Sequence, residues 1–178
     1  RRARDLMNRV RQFMFNEARQ NSHFEFRKMI EDSMEMLATE AERNGVAACI
    51  CGPGGDVWVQ AARLELQQVV LNLVLNGIQA TAGMRDARVE VHWCTRPDGA
   101  VELRVEDNGP GLGADDRDTV FRPFVSSKST GTGIGLAVVR RVAERHGGMV
   151  SVGESEMGGA SFVLTLPISD AGEERVVG

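Results

Sequence analysis

The sequence predicts an α+β protein: a two-layer α/β sandwich in which helices cover one face of a mixed, mostly antiparallel sheet, with a further helix at the N-terminus. Segments with the apolar periodicity of helices are interleaved with short segments in which apolar and polar residues alternate. The alternating segments are joined mainly by short turns rich in Gly and Pro, which suit hairpins. The strict strand–helix–strand repetition of a doubly wound fold is therefore not predicted.

The first half of the chain is predicted to contribute mainly helices. Apolar residues recur at three- and four-residue spacing over residues 3–18 and again over residues 27–43, where an Asn-Gly pair follows as a stop signal. The polar residues 19–25 between them indicate a linker. A strand is predicted at residues 46–51 and a long helix at residues 64–81.

The second half is predicted to supply most of the sheet. Its predicted elements are, in chain order, a hairpin with strands at 89–93 and 101–105, a connection at 108–132 with a short helical piece near 115–121, a helix at 133–146, strands at 149–152 and 160–166, and a flexible tail at 169–178. A connection as long as the one at 108–132 is usually functional or mobile inside a compact domain.

Composition excludes several classes of protein. The chain is 42% hydrophobic and 26% charged, as in globular proteins, and its net charge of −4 gives no reason to expect a nucleic acid or an anionic membrane as partner. No apolar run approaches the about 20 residues of a membrane helix. The chain starts at Arg1 without an apolar leader, so we expect a cytoplasmic fragment of a longer protein, which leaves open a membrane anchor elsewhere.

The three cysteines form no obvious metal motif. Cys49 and Cys51 alternate within an apolar stretch, Cys94 lies apart, and there is no CxxC pair or His/Cys cluster. We therefore expect reduced thiols in a core, and a metal site is the less favoured alternative.

A polar stripe runs along the helix predicted at residues 64–81. Its members are Glu65, Gln68, Asn72, Asn76 and Gln79. The rest of the helix is apolar over so wide a surface that it should be buried. A side-chain amide that is buried beside that surface without a hydrogen-bond partner costs several kcal/mol, so we expect the stripe to face either water or a ligand. The spacing of the residues does not distinguish between these two possibilities. An Asn carbonyl oxygen is a suitable ligand for Mg²⁺.

Two glycine-containing segments could hold parts of a ligand. Residues 107–111, Asp-Asn-Gly-Pro-Gly, end a predicted strand, where a carboxylate can accept a hydrogen bond from an exocyclic amine, although alone the segment indicates only a turn. Residues 131–136, Gly-Thr-Gly-Ile-Gly-Leu, open a predicted helix, whose free N–H groups and dipole favour phosphate. The dinucleotide fingerprint, the P-loop and the eukaryotic-type kinase motifs are absent.

Together these segments resemble the sensor histidine kinases of two-component systems. Residues 72–80 are similar to the N box of that family, residues 107–111 to its first glycine box, residues 121–124 to its F box, and residues 131–136 to its second glycine box, all in the family's order. The resemblance is close over residues 64–167. The N-terminal part resembles, more loosely, the second dimerisation helix and linker of oxygen- and nitrogen-sensing kinases.

The resemblance implies the Bergerat fold, in which ATP lies between helices and sheet under a mobile lid. It divides the chain into a partial dimerisation helix and linker at 1–25, an ATP-binding catalytic domain at 26–168, and a tail at 169–178. The expected partners are a response regulator receiver domain in a phosphorelay and a second copy in a full-length homodimer, with no nucleic acid and no membrane contact within this fragment.

The resemblance also assigns roles to residues. Asp107 would bind the adenine amino group, Asn76 would coordinate Mg²⁺, and Asn72 would line the phosphates. The other positions that it places at the nucleotide are Gly109, Gly111, Phe124, Lys128, Gly131, Thr132, Gly133, Gly135 and Leu136. Lys128 would neutralise phosphate charge from the lid, which Phe121 and Phe124 would anchor. Core packing is the alternative for the two Phe residues, and a solvated loop charge is the alternative for Lys128.

The residue at position 72 separates a kinase from a hydrolase. Gyrase-type, mismatch-repair and heat-shock-chaperone ATPases carry a Glu four residues before the metal Asn, as a general base for water. Asn72 occupies that position here and cannot accept a proton, and Glu65 is two turns away. We therefore expect poor ATP hydrolysis and an acceptor other than water. The open alternatives are a clamp-type hydrolase, a serine kinase of the anti-sigma type and a degenerate ATP-binding scaffold.

None of the three histidines fits the acceptor motif of the family. His23 follows the first predicted helix, His92 alternates out of a strand, and His146 ends a helix. We therefore expect the phosphoacceptor upstream of Arg1, and a fragment that binds ATP without phosphorylating itself.

Two positions depart from the family pattern. Ala61-Ala62 stands where an Asp often caps the long helix; a missing cap costs about 1 kcal/mol, so we expect a frayed start. Gly77 stands where Ala is usual, at a cost of about 0.5–1 kcal/mol in helix propensity. Neither change removes a ligand contact.

Overall fold

The computed structural model describes residues 21–52, 57–113, 116–117, 119–125 and 133–167. Its elements are β1 (Ser22–Glu25), α1 (Phe26–Arg43), β2 (Ala47–Ile50), β3 (Trp58–Ala61), α2 (Arg63–Thr81), β4 (Arg88–Thr95), β5 (Val101–Asp107), α3 (Gly135–Arg145), β6 (Met149–Glu154) and β7 (Ala160–Leu166). The helix predicted at 3–18 and the tail predicted at 169–178 lie outside the described residues. Within the described part of the chain, no helix is long and apolar enough to cross a membrane.

The main sheet has five strands in the order β2-β4-β5-β7-β6. Strand β2 runs parallel to β4, and the other three pairs are antiparallel. The hairpin of β4 and β5 places Val91 opposite Val105, and Val105 lies opposite Phe162 of β7. The prediction of a mixed, mostly antiparallel sheet is confirmed.

The three helices cover one face of this sheet. Helix α2 lies between α1 and α3 and contacts β4 and β5, while α1 contacts β2 and α3 contacts β6 and β7. The inward side chains of the central strands, such as Val89, Leu103 and Phe162, are almost completely buried. Burial of each side chain of this size stabilises the fold by about 1.5–3 kcal/mol. The apolar residues that alternate along the predicted strands are therefore the ones that form the core between the sheet and the helices.

A small second sheet replaces part of the predicted linker. Residues 19–25 were expected to be a linker, but Ser22–Glu25 pairs antiparallel with Trp58–Ala61. Phe24 points inward and is 8% exposed, and the amide of Phe26 donates to the carbonyl of Val57 at 2.8 Å. A four-residue strand with one inward aromatic side chain is too short to show a period of two, which is why the sequence did not reveal it.

The first turn of α2 is held by ion pairs rather than by a cap. Ala62 is the N-cap residue and makes no side-chain hydrogen bond, as the sequence predicted. The expected fraying is not seen, because the helix begins at Arg63, whose guanidinium lies 2.5 Å from the Asp32 carboxylate on α1. Glu65 in the same turn contacts Arg145 and His146 at the end of α3.

The short helical piece expected near 115–121 is a single turn in the residues of this stretch that the structure describes. The carbonyl of Asp116 accepts from the amides of Thr119 and Val120 at 3.1 and 2.8 Å, and no α-helix forms among residues 116–117 and 119–125. Polar and glycine residues on both sides leave this turn without an apolar face long enough to extend it.

The cysteines of β2 do not lie in the core, contrary to the sequence prediction. Cys49 is exposed and Cys51 is half-buried, because Ala48 and Ile50 pack against the core and their neighbours face outward. Burial, followed by the contact with Cys49, raises the pKa of the Cys51 thiol to about 11, so that this thiol keeps its proton at neutral pH. Cys94 is also exposed.

Candidate functional site

A buried carboxylate marks the end of β5. Asp107 is 3% exposed, and its Oδ1 accepts hydrogen bonds from the amide of Gly109 at 2.8 Å and from the amide of Ala160 at 3.2 Å. Hydrogen bonds to an ionised acceptor are stronger than neutral ones. The two bonds therefore fix the plane of the carboxylate from two different segments of the chain.

Glycines surround this carboxylate because there is no space for side chains. A Cβ on Gly109 would lie 2.8 Å from Asp107 Oδ1, and a Cβ on Gly159 would lie 2.5 Å from the Gly109 amide nitrogen. Gly111 has a φ of +72°. Its missing Cβ would lie 3.5 Å from the carbonyl oxygen of Gly159. Backbone rather than side chains therefore forms the wall beside Asp107, so a flat ring could approach closely.

The polar stripe of α2 changes from buried to exposed along the helix. Glu65, Gln68 and Asn72 are 3%, 9% and 7% exposed, Asn76 is half-buried, and Gln79 is exposed. The interpretation of a solvated stripe is wrong for the first three residues. A buried polar side chain is retained only where it has partners, so this part of the stripe faces polar contacts.

Asn72 lies against the start of α3. A Cβ on Gly135, the first residue of α3, would lie 3.7 Å from Asn72 Oδ1 and 3.8 Å from its Cγ. The free N–H groups of this first turn create a positive end of the helix dipole. Leu136 in the same turn is half-buried and packs against the core. The structure thus places Asn72 beside residues 135–136, the described end of the second glycine segment that the resemblance assigns to the same phosphates.

The turn before α3 is closed by a backbone contact. The amide of Phe124 donates to the carbonyl of Gly133 at 3.0 Å, and Gly133 has a φ of +64°. A Cβ on Gly133 would lie 2.6 Å from the carbonyl carbon of Phe124, so only glycine fits there. Close packing against the backbone of Phe124 therefore requires glycine at position 133, whether or not Gly133 also contacts a ligand.

The two phenylalanines of the F box have different environments. Phe121 is 7% exposed and meets Phe162 edge-on, with ring centroids 6.2 Å apart. Phe124 is 80% exposed and has a φ of +66°. Core packing therefore describes Phe121, whereas it is wrong for Phe124.

Of the residues that the resemblance assigns to the nucleotide, three lie outside the residues that the structure describes: Lys128, Gly131 and Thr132.

The carboxylate of Glu65, at the start of α2, contacts the end of α3. Arg145 donates to its Oε1, and Nε2 of His146 lies 3.2 Å from its Oε2. Glu65 therefore makes its contacts at the end of α3 and not beside Asn72.

Sequence reasoning missed Gly159 and Ala160. The signal for them was the Gly158-Gly159 pair that precedes the last predicted strand, to which we assigned no role. In the structure this turn reaches the end of β5 because β5 and β7 are neighbours, with Glu106 opposite Ser161.

The fold and the site define a nucleotide-binding ATPase domain: a mixed sheet covered by helices, a carboxylate at a strand end, and amides beside a glycine-rich helix start. The family model of histidine kinase-, DNA gyrase B- and HSP90-like ATPases matches residues 61–170, well over half of the chain. The chain belongs to this family.

Its relatives narrow the class to sensor histidine kinases. Over 170 residues the chain is 32% identical to the sensor protein FixL of Bradyrhizobium diazoefficiens, covering 95% of this chain and 34% of that protein. It is also 32% identical to the C4-dicarboxylate transport sensor protein DctS of Rhodobacter capsulatus, covering 97% of this chain and 26% of that protein. The chain thus spans about a third of these relatives' length, or less.

Solved structures of histidine kinases have the same fold as this chain. The nucleotide-free catalytic domain of histidine kinase ThkA matches with a TM-score of 0.76 and 25% identity, covering 84% of this chain and 96% of that one. Full-length ShkA in complex with AMPPNP matches with a TM-score of 0.73 and 27% identity, covering 83% of this chain and 31% of that one. The predicted Bergerat-type fold is confirmed, and the chain carries the ATPase-type catalytic domain of a sensor histidine kinase.

Proposed function

We propose that this domain binds ATP with Mg²⁺ and transfers the γ-phosphoryl group to a histidine that is not among the three in this sequence. The observation that supports this most directly is the position of Asn72. It is buried on α2, next to the first residue of α3, where a hydrolase of the same family has its glutamate base.

We assign the base of the nucleotide to the region around Asp107. The Asp107 carboxylate is held in one plane by two backbone amides, so it can accept a hydrogen bond from the adenine amino group with little loss of side-chain entropy. Gly109 and Gly111 shape the pocket for the ring. The similarity to full-length ShkA, which was solved in complex with AMPPNP, supports nucleotide binding by this class of protein.

We assign the phosphates to the space between α2 and the start of α3. A half-buried amide suits Mg²⁺, which is held by few protein groups, and Asn76 is in that position. When bound, the metal neutralises charge on the phosphate oxygens. Asn72 and the first turn of α3 contact the phosphates. The other proposed contacts are Phe124, Lys128, Gly131, Thr132, Gly133, Gly135 and Leu136.

The acceptor is proposed to be a histidine rather than water. Asn72 has no proton-accepting group for activation of water, and Glu65 is engaged with Arg145 and His146. Without a base, attack by water is slow, and a stronger nucleophile held in line is required. Catalysis then rests on positioning and on charge neutralisation, to which Asn72 and Lys128 contribute.

The histidines of this chain are placed for structural contacts. His23 stacks on Trp58 with ring centroids 5.0 Å apart, and Nε2 of His92 lies 3.2 Å from Glu90 Oε2 on the outer face of the sheet. His146 contacts Glu65 at the end of α3. We therefore propose that the acceptor histidine lies upstream of Arg1.

The remaining parts of the proposal concern the whole protein. Residues 1–25 would include the end of a dimerisation-type helix region and its linker, residues 26–168 the catalytic domain, and residues 169–178 a tail. The full-length protein would be a homodimer in the cytoplasm or anchored to the membrane with this domain in the cytoplasm. It would pass its phosphoryl group to the receiver domain of a response regulator.

Phosphotransfer from labelled ATP tests this function. The chain is extended upstream by its own dimerisation region and incubated with γ-labelled ATP and Mg²⁺. We expect a labelled protein whose phosphoryl group is lost in acid and kept in base, and clearly less label in the Asp107→Asn variant when the ATP concentration does not exceed the dissociation constant of the unchanged chain. Rapid release of free phosphate without labelled protein would overturn the kinase in favour of a hydrolase. Binding of ATP with neither product would favour a scaffold module.

A further inference from the structure

The outer face of the sheet, opposite the helices, carries a group of metal-binding side chains that the nucleotide site does not use. The Sγ atoms of Cys49 and Cys51 lie 3.2 Å apart. One carboxylate oxygen of Glu90 joins them, and all three ligand atoms lie within 4.8 Å of one another. Asp107 points to the other face of the sheet, because its position in β5 has the parity of the buried Val105.

The backbone brings these three side chains together. Cys49 lies in β2 and Cys51 follows the last residue of that strand, and the contact between their sulfurs shows that both side chains lie on one side of it. Cys49 lies opposite Glu90 in the parallel pairing of β2 and β4, and the amide of Cys51 donates to the carbonyl of Val91 at 2.9 Å. Neighbouring strands lie about 4.8 Å apart, so the carboxylate reaches the thiols without a change in the backbone.

We propose that Cys49, Cys51 and Glu90 form a zinc-binding site. Two sulfur ligands and one carboxylate oxygen are a donor set that Zn²⁺ accepts, with a water molecule as the fourth ligand. Magnesium and calcium prefer oxygen ligands alone and do not suit a pair of thiols.

The side chains of Arg88 and His92 lie next to Glu90 at the proposed zinc site. Zinc replaces the protons of the two thiols, so that two thiolates and one carboxylate then carry three negative charges around the ion. Arg88, whose Nη1 lies 3.5 Å from Glu90 Oε1, offsets the single negative charge that remains. Nε2 of His92 lies 3.2 Å from Glu90 Oε2. His92 is not within the group of three ligands, and within the part of the chain that the structure describes its Nε2 makes no hydrogen bond in spite of this distance, so the site is built from the other three side chains alone.

A disulfide fits this geometry less well than a metal ion. Residues i and i+2 of an extended strand have Cα atoms about 6.7 Å apart, which is at the upper end of the range for disulfides. Two sulfurs on tetrahedral zinc lie about 3.8 Å apart, given Zn–S bonds of about 2.3 Å. The observed 3.2 Å between the sulfurs reaches that separation by a small rotation of the exposed Cys49 side chain.

Cobalt binding to the reduced chain tests the proposal, because thiolate ligands give Co²⁺ an intense charge-transfer absorption. We expect this band at one cobalt per chain, and its loss when zinc is added. Zinc affinity is then measured by competition with a chromogenic chelator. Cys49→Ser and Glu90→Gln should each weaken zinc binding at least about tenfold, since each removes a ligand.

Cys94→Ser is the matched control, because Cys94 is an exposed thiol on β4 outside the group of three. Its zinc affinity should equal that of the unchanged chain. The proposal is overturned if cobalt gives no charge-transfer band, if Cys94→Ser weakens binding as much as Cys49→Ser, or if the Cys49→Ser/Cys51→Ser double variant keeps the zinc site. Cys49 is exposed, so its variant should fold, which circular dichroism verifies. Nucleotide binding should be the same in all these variants.

Discussion

Gly159 lies so close to Asp107 that a side chain on it would clash with the backbone oxygen and the carboxylate of Asp107. A Cβ there would also lie 2.5 Å from the amide nitrogen of Gly109. The turn between β6 and β7 is thus pressed against the end of β5, and the next residue, Ala160, donates its amide to Asp107 Oδ1. The carboxylate that we assign to adenine is positioned by a hairpin about 50 residues further along the chain.

Gly159→Ala should therefore weaken nucleotide binding although Gly159 has no side chain to contact a ligand. The added Cβ forces the turn away from Asp107, and overpacking of this kind costs about 1–3 kcal/mol of stability. Calorimetry with ATP and denaturation in urea measure the two effects. Gly153→Ala is the control, because a Cβ on Gly153 has no atom within 4 Å. Equal ATP affinity in the Gly159→Ala and Gly153→Ala variants would contradict the positioning role.

Asp107→Asn should reduce ATP affinity at least about tenfold, because a hydrogen bond to a charged acceptor is worth about 1.5–3 kcal/mol. The amides of Gly109 and Ala160 both donate to Oδ1, so an Asn keeps its oxygen there and turns its NH₂ group toward the position of the adenine amine. Calorimetric titration with ATP measures the loss. Asp98→Asn, in the turn between β4 and β5, is the control. An unchanged dissociation constant for Asp107→Asn would refute the site assignment.

The parts of the fold that depend on local periodicity could be predicted from the sequence. The 19 residues of α2 are apolar on most of their surface, and the strands of the β4–β5 hairpin alternate over all but the last two residues of β4. These patterns are long enough to fix both the type of element and the side that is buried. The position of Asp107 at a strand end followed from them, whereas the approach of Asn72 to the start of α3 was implied only by the resemblance to the kinase family.

The parts that depend on contacts between distant segments could not be predicted. The pairing of Phe24 with Val59 joins two strands of four residues each, and neither carries a recognisable pattern alone. In β2, small apolar residues occupy both faces, so the sequence did not show whether Cys49 or Ala48 faces the core. The packing of Gly159 on Asp107 requires the order of the sheet, which short antiparallel strands leave undetermined.

Gly77→Ala should destabilise the domain, although alanine is the better helix former. The Cβ of an alanine would lie 2.9 Å from Val89 Cγ2, and Val89 is fully buried and stiff because it is β-branched. Overpacking of about 1–3 kcal/mol outweighs a gain of about 0.5–1 kcal/mol in helix propensity. Close packing against Val89 is therefore a reason for glycine at this position that the cost in helix propensity alone did not show. We expect a net loss of about 0.5–2 kcal/mol by urea denaturation.

The sign of this effect should reverse when the clash is removed. In a Val89→Ala background the alanine at position 77 has space, so it should stabilise the domain by about 0.5 kcal/mol through helix propensity. A double-mutant cycle measures this coupling. If Gly77→Ala has the same effect in both backgrounds, contact with Val89 is not the reason for glycine at this position.

Asn72→Glu should raise the basal rate of ATP hydrolysis at least about tenfold, because it supplies the base that the kinase lacks; a fully positioned general base contributes about 10²–10⁴-fold. The new carboxylate would lie beside the first turn of α3, where the helix dipole favours negative charge. Phosphate release at saturating ATP measures the rate. Asn72→Gln has similar size without a base and should leave hydrolysis slow. Equal rates in the two variants would show that position 72 alone does not decide between kinase and hydrolase.

Asp32→Asn should lower stability at neutral pH but not in acid. Hydrogen bonding from Lys28, and secondarily from Arg63, holds the pKa of the Asp32 carboxyl below its ordinary value of 3.8. A lowered pKa means that the folded state favours the ionised form. The stabilisation is therefore complete above the unfolded-state pKa and is lost as pH falls through the lower folded-state pKa.

The expected loss at pH 7 is at most about 1 kcal/mol, because the ion pairs that join α1 to the first turn of α2 are partly exposed. The difference between Asp32→Asn and the unchanged chain should shrink as pH is lowered below about 4. Urea denaturation at a series of pH values measures it, with Glu42→Gln on the exposed side of α1 as the control. A deficit that stays constant down to pH about 3 would mean that α1 and α2 are joined by packing, and that the charge of Asp32 contributes little.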